Sequence, residues 1–290
     1  MIYLLIVNYY STDLIAGLLT SIYPADNPNL RVIIVNNYPE DRAITIAQLA
    51  AARTDLILIT AETNLGFGAG CNLGIQHVYQ ANPQALIWLL NPDTTIEPDA
   101  VAYIMECFQE NPDLAILGTK IRDAQGNIWF SEGRFNPWIG SLPHQSRNMD
   151  NGGGRVKIIP CRWVSGCSMI LNLARFNHCP KFDFHYFLYY EDNDFCERYY
   201  QQGYQIAVTQ DVKVTHLVSA TTHKDKTAKF RHATYSKLYF LKQHGTVLAL
   251  GLNLVYMLAK VVLLLPRDRA SALGRWQGLQ NFILSGHERS

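Results

Sequence analysis

The sequence predicts an α/β fold built on a doubly wound, mostly parallel sheet. Four continuous apolar runs, at residues 2–9, 31–37, 55–61 and 85–93, have the length of strands that are buried on both faces. Helix-like segments separate these runs, and a repeated βα order predicts parallel strands with helices on both faces of the sheet. Three of the runs end in polar residues. Ligands bind at the carboxyl ends of such strands.

The helices of the first half follow from start signals and apolar periodicity. Ser11 or Thr12 is the expected N-cap of a helix in the segment "STDLIAGLLTSIY". A second helix is predicted over about 41–53, and a third near 70–81 follows the loop "NLGFGAGCNLGI". The polar clusters at the strand ends are Asn8–Tyr9, Asn36–Asn37 and Asn91–Asp93.

The second half of the chain is less regular. Residues 131–157 are rich in Gly, Pro, Ser and Asn, which is typical of a long mobile loop or a lid. A strand is predicted over 163–171, and a helix over 189–204 has an acidic N-terminus and a stop at Gly203. One or two short strands are predicted over 205–217.

Composition excludes several classes of function. The 290 residues hold 25 Lys and Arg against 24 Asp and Glu with no basic stripe, so no nucleic-acid partner is expected. The six cysteines form no C-x-x-C pair and no short zinc spacing, which favours free thiols in a reducing cytosol. The N-terminal segment "MIYLLIVNYYS" lacks the basic start and cleavage site of a signal peptide. We therefore expect a folded cytoplasmic protein.

The glycine-rich loop departs from the dinucleotide-binding fingerprint. If the pattern G-x-G-x-x-G starts at Gly66 or Gly68, its third glycine is replaced by Cys71 or Leu73. The loop also follows earlier strand-like segments, whereas that fingerprint normally lies in the first βα turn. A dehydrogenase is therefore disfavoured.

Asp93 is the first candidate for chemistry, because it stands where a buried strand stops. Beside Asn91 and Pro92, its carboxylate can present oxygen to a divalent cation that bridges phosphates. The alternative is that Asp93 caps a turn or the next helix. His216 ends a β-like segment and can complete a metal site with Asp93, although a lone histidine is more often structural.

A second candidate is the acidic cluster of Glu191, Asp192 and Asp194, which follows an aromatic run. Carboxylates that cluster beside apolar rings often include one with a raised pKa, which suits a general base. The alternative is a helix N-terminus that carries acids because the helix dipole favours them.

Seven segments in one order resemble the family-2 glycosyltransferases, which are nucleotide-sugar-dependent enzymes with the GT-A fold. They are "LLIVNYYS", "VIIVNN", "NLGFGAGCNLGI", "LLNPDTTIEPD", "WVSGCSMIL", "FDFHYFLYYEDNDFCERYYQQGY" and "VTHLVS". The chain is most similar to the rhamnosyltransferase-like branch. The resemblance covers about residues 1–245 and implies a GT-A nucleotide-sugar-binding catalytic domain there.

The resemblance implies how the donor nucleotide is bound. Asn8 and Tyr9 would border its base. Asn36 stands where the family usually has an aspartate that accepts the pyrimidine N3–H, and an asparagine accepts only through its uncharged amide oxygen. The glycine-rich loop would lie beside the nucleotide, with Asn64, Gly66 and Asn72 as its contacts. Cys71 occupies a place where many relatives carry arginine.

The resemblance also implies the catalytic groups. The segment Asn91-Pro92-Asp93 stands in for the D-x-D metal motif, which leaves Asp93 as the ligand of Mg²⁺ or Mn²⁺. His216 would assist at the metal or the diphosphate. Asp192, second in the pair that Glu191 begins, matches the catalytic base.

The implied function is an inverting, metal-dependent transfer of rhamnose or a hexose from a dTDP- or UDP-sugar. The acceptor would be a glycan or a lipid-linked glycan in bacterial polysaccharide synthesis. One alternative is a sugar nucleotidyltransferase, but the segment "IVNYYSTDLI" has neither Arg nor Lys for its basic loop. Another is a catalytically impaired scaffold at the membrane, which the asparagines at positions 36 and 91 keep open.

Residues 246–290 form a predicted C-terminal helical appendage. The segment 246–266 has about the length that spans a bilayer, and Asn253 and Lys260 share one helical face. Basic residues flank it, namely Lys237, Lys242, Arg267, Arg269 and Arg275. We favour a helix that lies on the membrane surface, so that the enzyme is cytoplasmic at the inner face of the membrane. A buried or homodimer-forming helix and a true span are the alternatives.

Overall fold

The computed structural model describes residues 1–22, 29–38, 56–145, 157–217 and 225–285. The helix predicted over 41–53 and residues 146–156 of the predicted loop lie outside the described residues. The strands are β1 (Ile2–Asn8), β2 (Leu30–Asn36), β3 (Leu56–Thr60), β4 (Leu86–Leu90), β5 (Thr94–Ile96), β6 (Leu114–Asp123), β7 (Ile128–Phe130), β8 (Glu132–Gly133), β9 (His144–Gln145), β10 (Ile158–Pro160), β11 (Ser168–Asn172) and β12 (Gln205–His216). The α-helices are α1 (Thr12–Ile22), α2 (Phe67–Ala81), α3 (Ala100–Glu110), α4 (Glu191–Gln201), α5 (Lys226–His244), α6 (Val247–Leu264) and α7 (Arg269–Ser285).

One large sheet has the strand order β10-β12-β6-β11-β4-β1-β2-β3. Strands β3, β2, β1 and β4 are parallel neighbours, and so are β6 and β12. Strand β11 lies antiparallel between β4 and β6, and short β5 pairs antiparallel with β12. Because β11 is antiparallel to both of its neighbours, the carboxyl ends of β1, β2, β4, β6 and β12 lie at the same edge of the sheet.

Both faces of this sheet are covered, which confirms the doubly wound α/β prediction. On β1, Leu5 and Val7 belong to a buried cluster with α2, while Leu4 and Ile6 belong to a cluster with α1 and α3. The alternation follows from the two-residue repeat of a strand, and it explains why the strands read as continuous apolar runs.

Two predicted strand bounds were wrong, and a third prediction left a choice that the structure decides. The run 85–93 forms a strand only to Leu90, and Asn91–Asp93 forms a turn before β5. The strand predicted over 163–171 begins at Ser168, because the preceding backbone leaves the sheet. Of the one or two short strands predicted over 205–217, the structure has one, the 12-residue β12, with a register shift between Thr209 and Lys213.

The described part of the predicted 131–157 loop is an ordered hairpin. Strand β8 pairs with β9, and Asn136 and Ser141 form a further antiparallel bridge. At the tip, Gly140 has φ 68° and donates its N–H to the Asn136 carbonyl. This arrangement corrects the expectation of an irregular loop up to residue 145.

The C-terminal helices form one layered unit beside the sheet. Leu238 of α5, Met257 of α6 and Leu279 of α7 form a small buried cluster. The close contact of α7 with α5 depends on Gly274, since a Cβ there would overlap the Thr227 carbonyl oxygen. The expected boundary between residues 245 and 246 falls between α5 and α6.

Replacement of Gly66 by alanine is expected to destabilise the fold by more than about 2 kcal/mol. Gly66 precedes α2 with φ 82° and ψ 176°, a region that is essentially restricted to glycine. A Cβ there would also overlap the Phe187 carbonyl oxygen. Thermal unfolding of Gly66→Ala measures the loss. Gly17→Ala in α1 is the control, because no atom lies within 4 Å of its added Cβ and alanine favours helix. Equal melting temperatures for the two variants would contradict this role of Gly66.

Candidate active site

Asn8 and Asn36, at the ends of adjacent strands, are joined by one hydrogen bond. The Asn8 Nδ2 donates to Asn36 Oδ1 at 2.9 Å. Asn8 Oδ1 accepts from the Ser11 backbone N–H at 3.2 Å and from the Ser11 hydroxyl at 2.9 Å. Because a backbone N–H can only donate, this contact fixes which side of the Asn8 amide is oxygen, and hence the orientation of Asn36.

This orientation leaves the Nδ2 of Asn36 buried and without a hydrogen-bond partner. The family resemblance implies that the Asn36 oxygen accepts a hydrogen bond from the N3–H of a pyrimidine base. In the structure that oxygen already accepts from Asn8, and the unpartnered group is a donor. Such an orphaned donor costs roughly 1–3 kcal/mol unless a ligand satisfies it.

Three tyrosine rings cover this corner of the sheet. The rings of Tyr9 and Tyr10 are 4.9 Å apart, and that of Tyr38 lies 5.8 Å from Tyr9 and 5.1 Å from Tyr10. Tyr9 and Tyr10 are exposed, and Tyr10 has a positive φ of 51°. The prediction named Tyr9 alone. The cluster offers flat apolar surface at the position where a base is expected.

The glycine-rich loop is pinned to its surroundings by side-chain amides. Asn37 Nδ2 donates to the Gly66 carbonyl at 2.9 Å, and Asn64 Oδ1 accepts from the Gly66 N–H at 3.0 Å. Asn72 exchanges two hydrogen bonds with the Phe182 backbone, at 2.8 and 2.9 Å. Asn64 thus shapes the loop locally, whereas Asn72 holds it against the segment that precedes the acidic cluster.

Asp93 and His216 lie together because of strand pairing. Residues Thr94 and His216 are register partners in the β5–β12 pair, and the Leu217 N–H donates to the Asp93 carbonyl at 2.8 Å. The buried Asp93 Oδ1 is 3.1 Å from His216 Nε2. Asn91, which is half-buried, begins the same turn. The structure therefore brings Asp93 and His216 together, and the metal site expected of them stays a prediction.

The side chains at this turn that are able to coordinate a metal fit a divalent cation whose remaining positions are filled by a bound phosphate ligand. No three His, Cys, Asp or Glu side chains converge in the part of the chain that the structure describes. Asp93 supplies a carboxylate, and the His216 Nδ1 is buried without a hydrogen-bond partner. Mg²⁺ and Mn²⁺ accept such few-ligand sites when phosphate oxygens and water fill the other positions.

Glu191 and Asp192 begin helix α4 behind two strained residues. Tyr189 and Tyr190 have positive φ values of 69° and 65°, which non-glycine residues rarely adopt. Asp192 Oδ2 accepts from the Gly166 N–H at 2.9 Å, and Oδ1 accepts from the Asn193 N–H at 2.8 Å. Asp192 is half-buried, and among the residues that the structure describes its carboxylate is held by two backbone donors.

Burial governs the charge of this acidic pair. Burial and the nearby Asp192 raise the pKa of Glu191 to about 8. Burial also raises the pKa of Asp192, although the N–H donors of Gly166 and Asn193 oppose this shift. The Oε2 of Glu191 has no hydrogen-bond partner. Near neutral pH, Glu191 holds the proton and Asp192 is the stronger candidate for a proton acceptor.

The segment Gly166–Cys167 joins the acidic pair to the Asp93 turn. The Gly166 N–H donates to Asp192, and the Cys167 carbonyl accepts from the Asn91 N–H at 3.0 Å. Burial, and after it the charges of Asp93 and Asp192, raise the pKa of the buried Cys167 thiol.

Sequence reasoning missed this bridge and two further groups. Gly166 was included in a predicted strand, and its only signal was a Ser-Gly-Cys break within an apolar run. Asn37 was grouped with Asn36, but it holds the glycine-rich loop. Trp129 gave no signal, yet its exposed ring lies 5.3 Å from that of His216.

Replacement of Glu191 by glutamine tests the charge assignment through stability. The folded protein keeps this proton to about pH 8, whereas an ordinary glutamic acid releases it near 4.5, so Glu191 lowers stability as pH rises between these values. Glu191→Gln is expected to match the parent at pH 5 and to be more stable at pH 9 by on the order of 1–3 kcal/mol. Melting temperatures at both pH values measure this. Glu110→Gln, at the exposed end of α3, is the control, and a Glu191→Gln variant that loses stability at pH 9 would refute the assignment.

The chain is similar in sequence to a known family and to named relatives. The family model described as glycosyl transferase family 2 matches residues 3–169. The N-acetylglucosaminyl-diphospho-decaprenol L-rhamnosyltransferase of Mycobacterium tuberculosis is 25% identical over 186 residues, which cover 58% of this chain and 61% of the relative. The chain thus aligns with about three fifths of that relative's length.

Solved structures share the fold at low identity. GalNAc-T7 with UDP, GalNAc and Mn²⁺ has a TM-score of 0.62 and 9% identity over 83% of this chain and 47% of its own. The mannosyltransferase of Pyrobaculum calidifontis in complex with GDP-Man and Mn²⁺ has a TM-score of 0.55 and 14% identity over 99% of this chain and 86% of its own. With a family match over more than half of its length, the chain belongs to glycosyl transferase family 2, has the GT-A fold and is similar to the rhamnosyltransferase-like branch.

Proposed function

We propose that this protein is an inverting, metal-dependent glycosyltransferase of bacterial polysaccharide synthesis. The observation that carries the proposal is the bridge at Gly166–Cys167, which holds the Asp192 carboxylate on one side and the Asn91-Pro92-Asp93 turn on the other. A proton acceptor and a phosphate-binding turn are thereby kept at fixed positions at one edge of the sheet. A group transfer from a diphosphate to a hydroxyl needs both.

The donor is a nucleoside-diphosphate sugar, with dTDP-rhamnose or a UDP-hexose as the candidates. The tyrosine cluster at Tyr9, Tyr10 and Tyr38 provides apolar surface for the base. The unpartnered Nδ2 of Asn36 can donate to a carbonyl of a pyrimidine base. The mycobacterial relative is a rhamnosyltransferase by name, which favours rhamnose.

Asp192 acts as the general base. Its carboxylate removes the proton from the acceptor hydroxyl while that oxygen bonds to the anomeric carbon from the side opposite the diphosphate. The bond between the anomeric carbon and the diphosphate oxygen breaks, and the configuration inverts. The raised pKa of Asp192 supports this role, because a more basic carboxylate takes the proton more readily.

Asp93 and His216 are the residues that would hold Mg²⁺ or Mn²⁺. When bound, such an ion supplies positive charge for the diphosphate that departs. Asn91 begins the same turn, and the Cys167 carbonyl keeps its backbone in place. Mn²⁺ is named with two of the solved structures that share the fold, which supports the choice of cation.

The acceptor is a glycan, and we favour one that is linked to a lipid. Phe184, which is 77% exposed, and Trp129 beside His216 offer aromatic faces on which sugar rings stack. A lipid-linked acceptor places the enzyme in the cytoplasm, in peripheral contact with the inner face of the membrane. The mycobacterial relative acts, by its name, on a diphospho-decaprenol, which supports this class of acceptor.

Replacement of Asp192 by asparagine is expected to lower turnover by roughly 10²–10⁴-fold, because the proton acceptor is lost. Nucleotide binding should stay within about threefold of the parent, since asparagine keeps the size of the side chain. Release of nucleoside diphosphate in single-turnover assays measures the first quantity, and calorimetric titration measures the second. Asp113→Asn, which removes an exposed carboxylate that pairs with Arg175, is the control. Near-parental turnover of Asp192→Asn would reject the base assignment.

Replacement of Asp93 by alanine is expected to abolish the metal-dependent part of nucleotide binding, because a carboxylate ligand is lost. Calorimetric titration with dTDP, UDP and GDP, each with and without Mn²⁺, measures this and identifies the donor series. His77→Ala, on the exposed side of α2, is the control variant. If the parent binds none of the three nucleotides, the impaired scaffold replaces the enzyme as the proposed function.

A further inference from the structure

We propose that the outer face of α6, together with the tip of the 136–140 hairpin, is a docking surface for an anionic lipid bilayer. This inference deepens the membrane contact of the proposed function and rests on it only for the lipid-linked acceptor. The surface itself follows from exposure, hydrogen bonds and charge in the folded chain.

Helix α6 presents apolar side chains to its surroundings, where a helix on a water-exposed surface carries polar ones. Its inner stripe holds Asn253 beside Ala249 and Met257, whereas its outward residues are apolar. Val247 is 89% exposed and Val262 is 70% exposed. Only 17% of the helix is buried, and its mean hydropathy is 2.2. Soluble proteins rarely expose an apolar patch of this size unless something covers it.

The hairpin tip extends this surface from the catalytic part of the chain. Trp138 is 67% exposed and Ile139 is 55% exposed. The Thr246 N–H donates to the Pro137 carbonyl at 3.0 Å, and Asn253 Nδ2 donates to the Ile139 carbonyl at 3.1 Å. The tip is thus clamped to the start of α6, and its exposed side chains lie next to the exposed end of that helix.

The same contacts explain why α6 rests on the protein instead of crossing a membrane. By length and composition α6 is able to span a bilayer. If α6 crossed the bilayer, Asn253 would lose its hydrogen bond to the Ile139 carbonyl and would be buried in lipid. Met257 would also be separated from Leu238 and Leu279. A helix that keeps these contacts can enter the bilayer only with its outer face.

The positive charge near the docking surface favours an anionic bilayer over a second copy of the chain as its partner. Residues 225–285 hold nine Lys and Arg against two Asp, although the whole chain is almost neutral, with 25 against 24. Lys242 precedes α6, and Arg267 and Arg269 follow it, and all three are exposed. Two such faces would repel each other in a dimer, whereas an anionic bilayer attracts them. Trp138 suits the same boundary, because its ring is apolar and its N–H is polar.

The docking surface is connected to the catalytic carboxylates. Phe135, next to the tip, contacts the Phe240 ring at 5.0 Å and lies 5.1 Å below the Arg162 guanidinium. Arg162 in turn binds Glu197 of α4 through two contacts of 2.7 Å. Helix α4 begins with Glu191 and Asp192. Membrane contact at the tip therefore fixes the orientation of the catalytic helix relative to the lipid, as a lipid-linked acceptor requires.

The test is sedimentation of the full chain with phosphatidylcholine vesicles that contain or lack phosphatidylglycerol. The parent should sediment with the phosphatidylglycerol vesicles. Val255→Ser/Val262→Ser on α6 and Trp138→Ser/Ile139→Ser at the tip should each lower the partition coefficient more than tenfold. Arg267→Glu/Arg269→Glu should lower the partition coefficient to a similar extent, but only on vesicles that contain phosphatidylglycerol. Each basic residue near an anionic surface contributes roughly a factor of five to binding. Tyr103→Ser, at an exposed aromatic residue on α3, is the control and should sediment like the parent.

Several outcomes would overturn the proposal. The parent could stay in solution with anionic vesicles, or the two serine double variants could sediment like the parent. A dimer in light scattering that dissociates in Val255→Ser/Val262→Ser, without vesicle binding, would assign the surface to a second copy. Titration of the same variants with nucleotide and Mn²⁺ tests the enzyme proposal separately. None of the changed residues lies in the candidate active site, so nucleotide binding should stay as in the parent whatever the vesicles show.

Discussion

The hydrogen bond from the Gly166 N–H to the Asp192 carboxylate is the contact on which the arrangement of the site depends. It ties the start of α4 to a backbone segment whose next carbonyl, that of Cys167, holds the Asn91 N–H. Strand β11 begins one residue later, between β4 and β6. The rigid centre of the sheet thereby sets the separation of Asp93 and Asp192, and no mobile loop is needed to bring them together.

Charge in this site is governed by burial more than by ion pairs. Glu191 and Asp192 form no ion pair among their described contacts, and burial raises the pKa of both carboxyls. Two residues further along, burial also acts to raise the pKa of Asp194, but the bonds to His244 and Arg198 outweigh it and hold that pKa below its ordinary value. One short acidic cluster thus contains a protonated acid, a candidate base and a structural anion that joins α4 to α5.

The C-terminal helices belong to the same mechanical unit as the catalytic helix. Asp194 bonds His244 at the end of α5, and the hairpin tip bonds both Thr246 and Asn253 at the start of α6. Buried polar contacts of this kind hold one relative orientation of the packed elements, since a lost partner leaves a desolvated group. The apolar outer face of α6 is therefore held at a fixed position relative to the candidate site.

The sequence by itself determined the βα order and the strands that are buried on both faces, and it predicted Asp93, Asp192 and His216 as site residues, because apolar periodicity and motif order are local signals. It did not reveal Gly166 as a donor, the direction in which the Asn36 amide points, or the side of α6 that faces outward. Each of these depends on contacts between residues far apart in the chain, such as Asn8 with Asn36 and Ile139 with Asn253. Only tertiary structure decides such contacts, since a backbone N–H or an amide gains its role from the partner that folding brings to it.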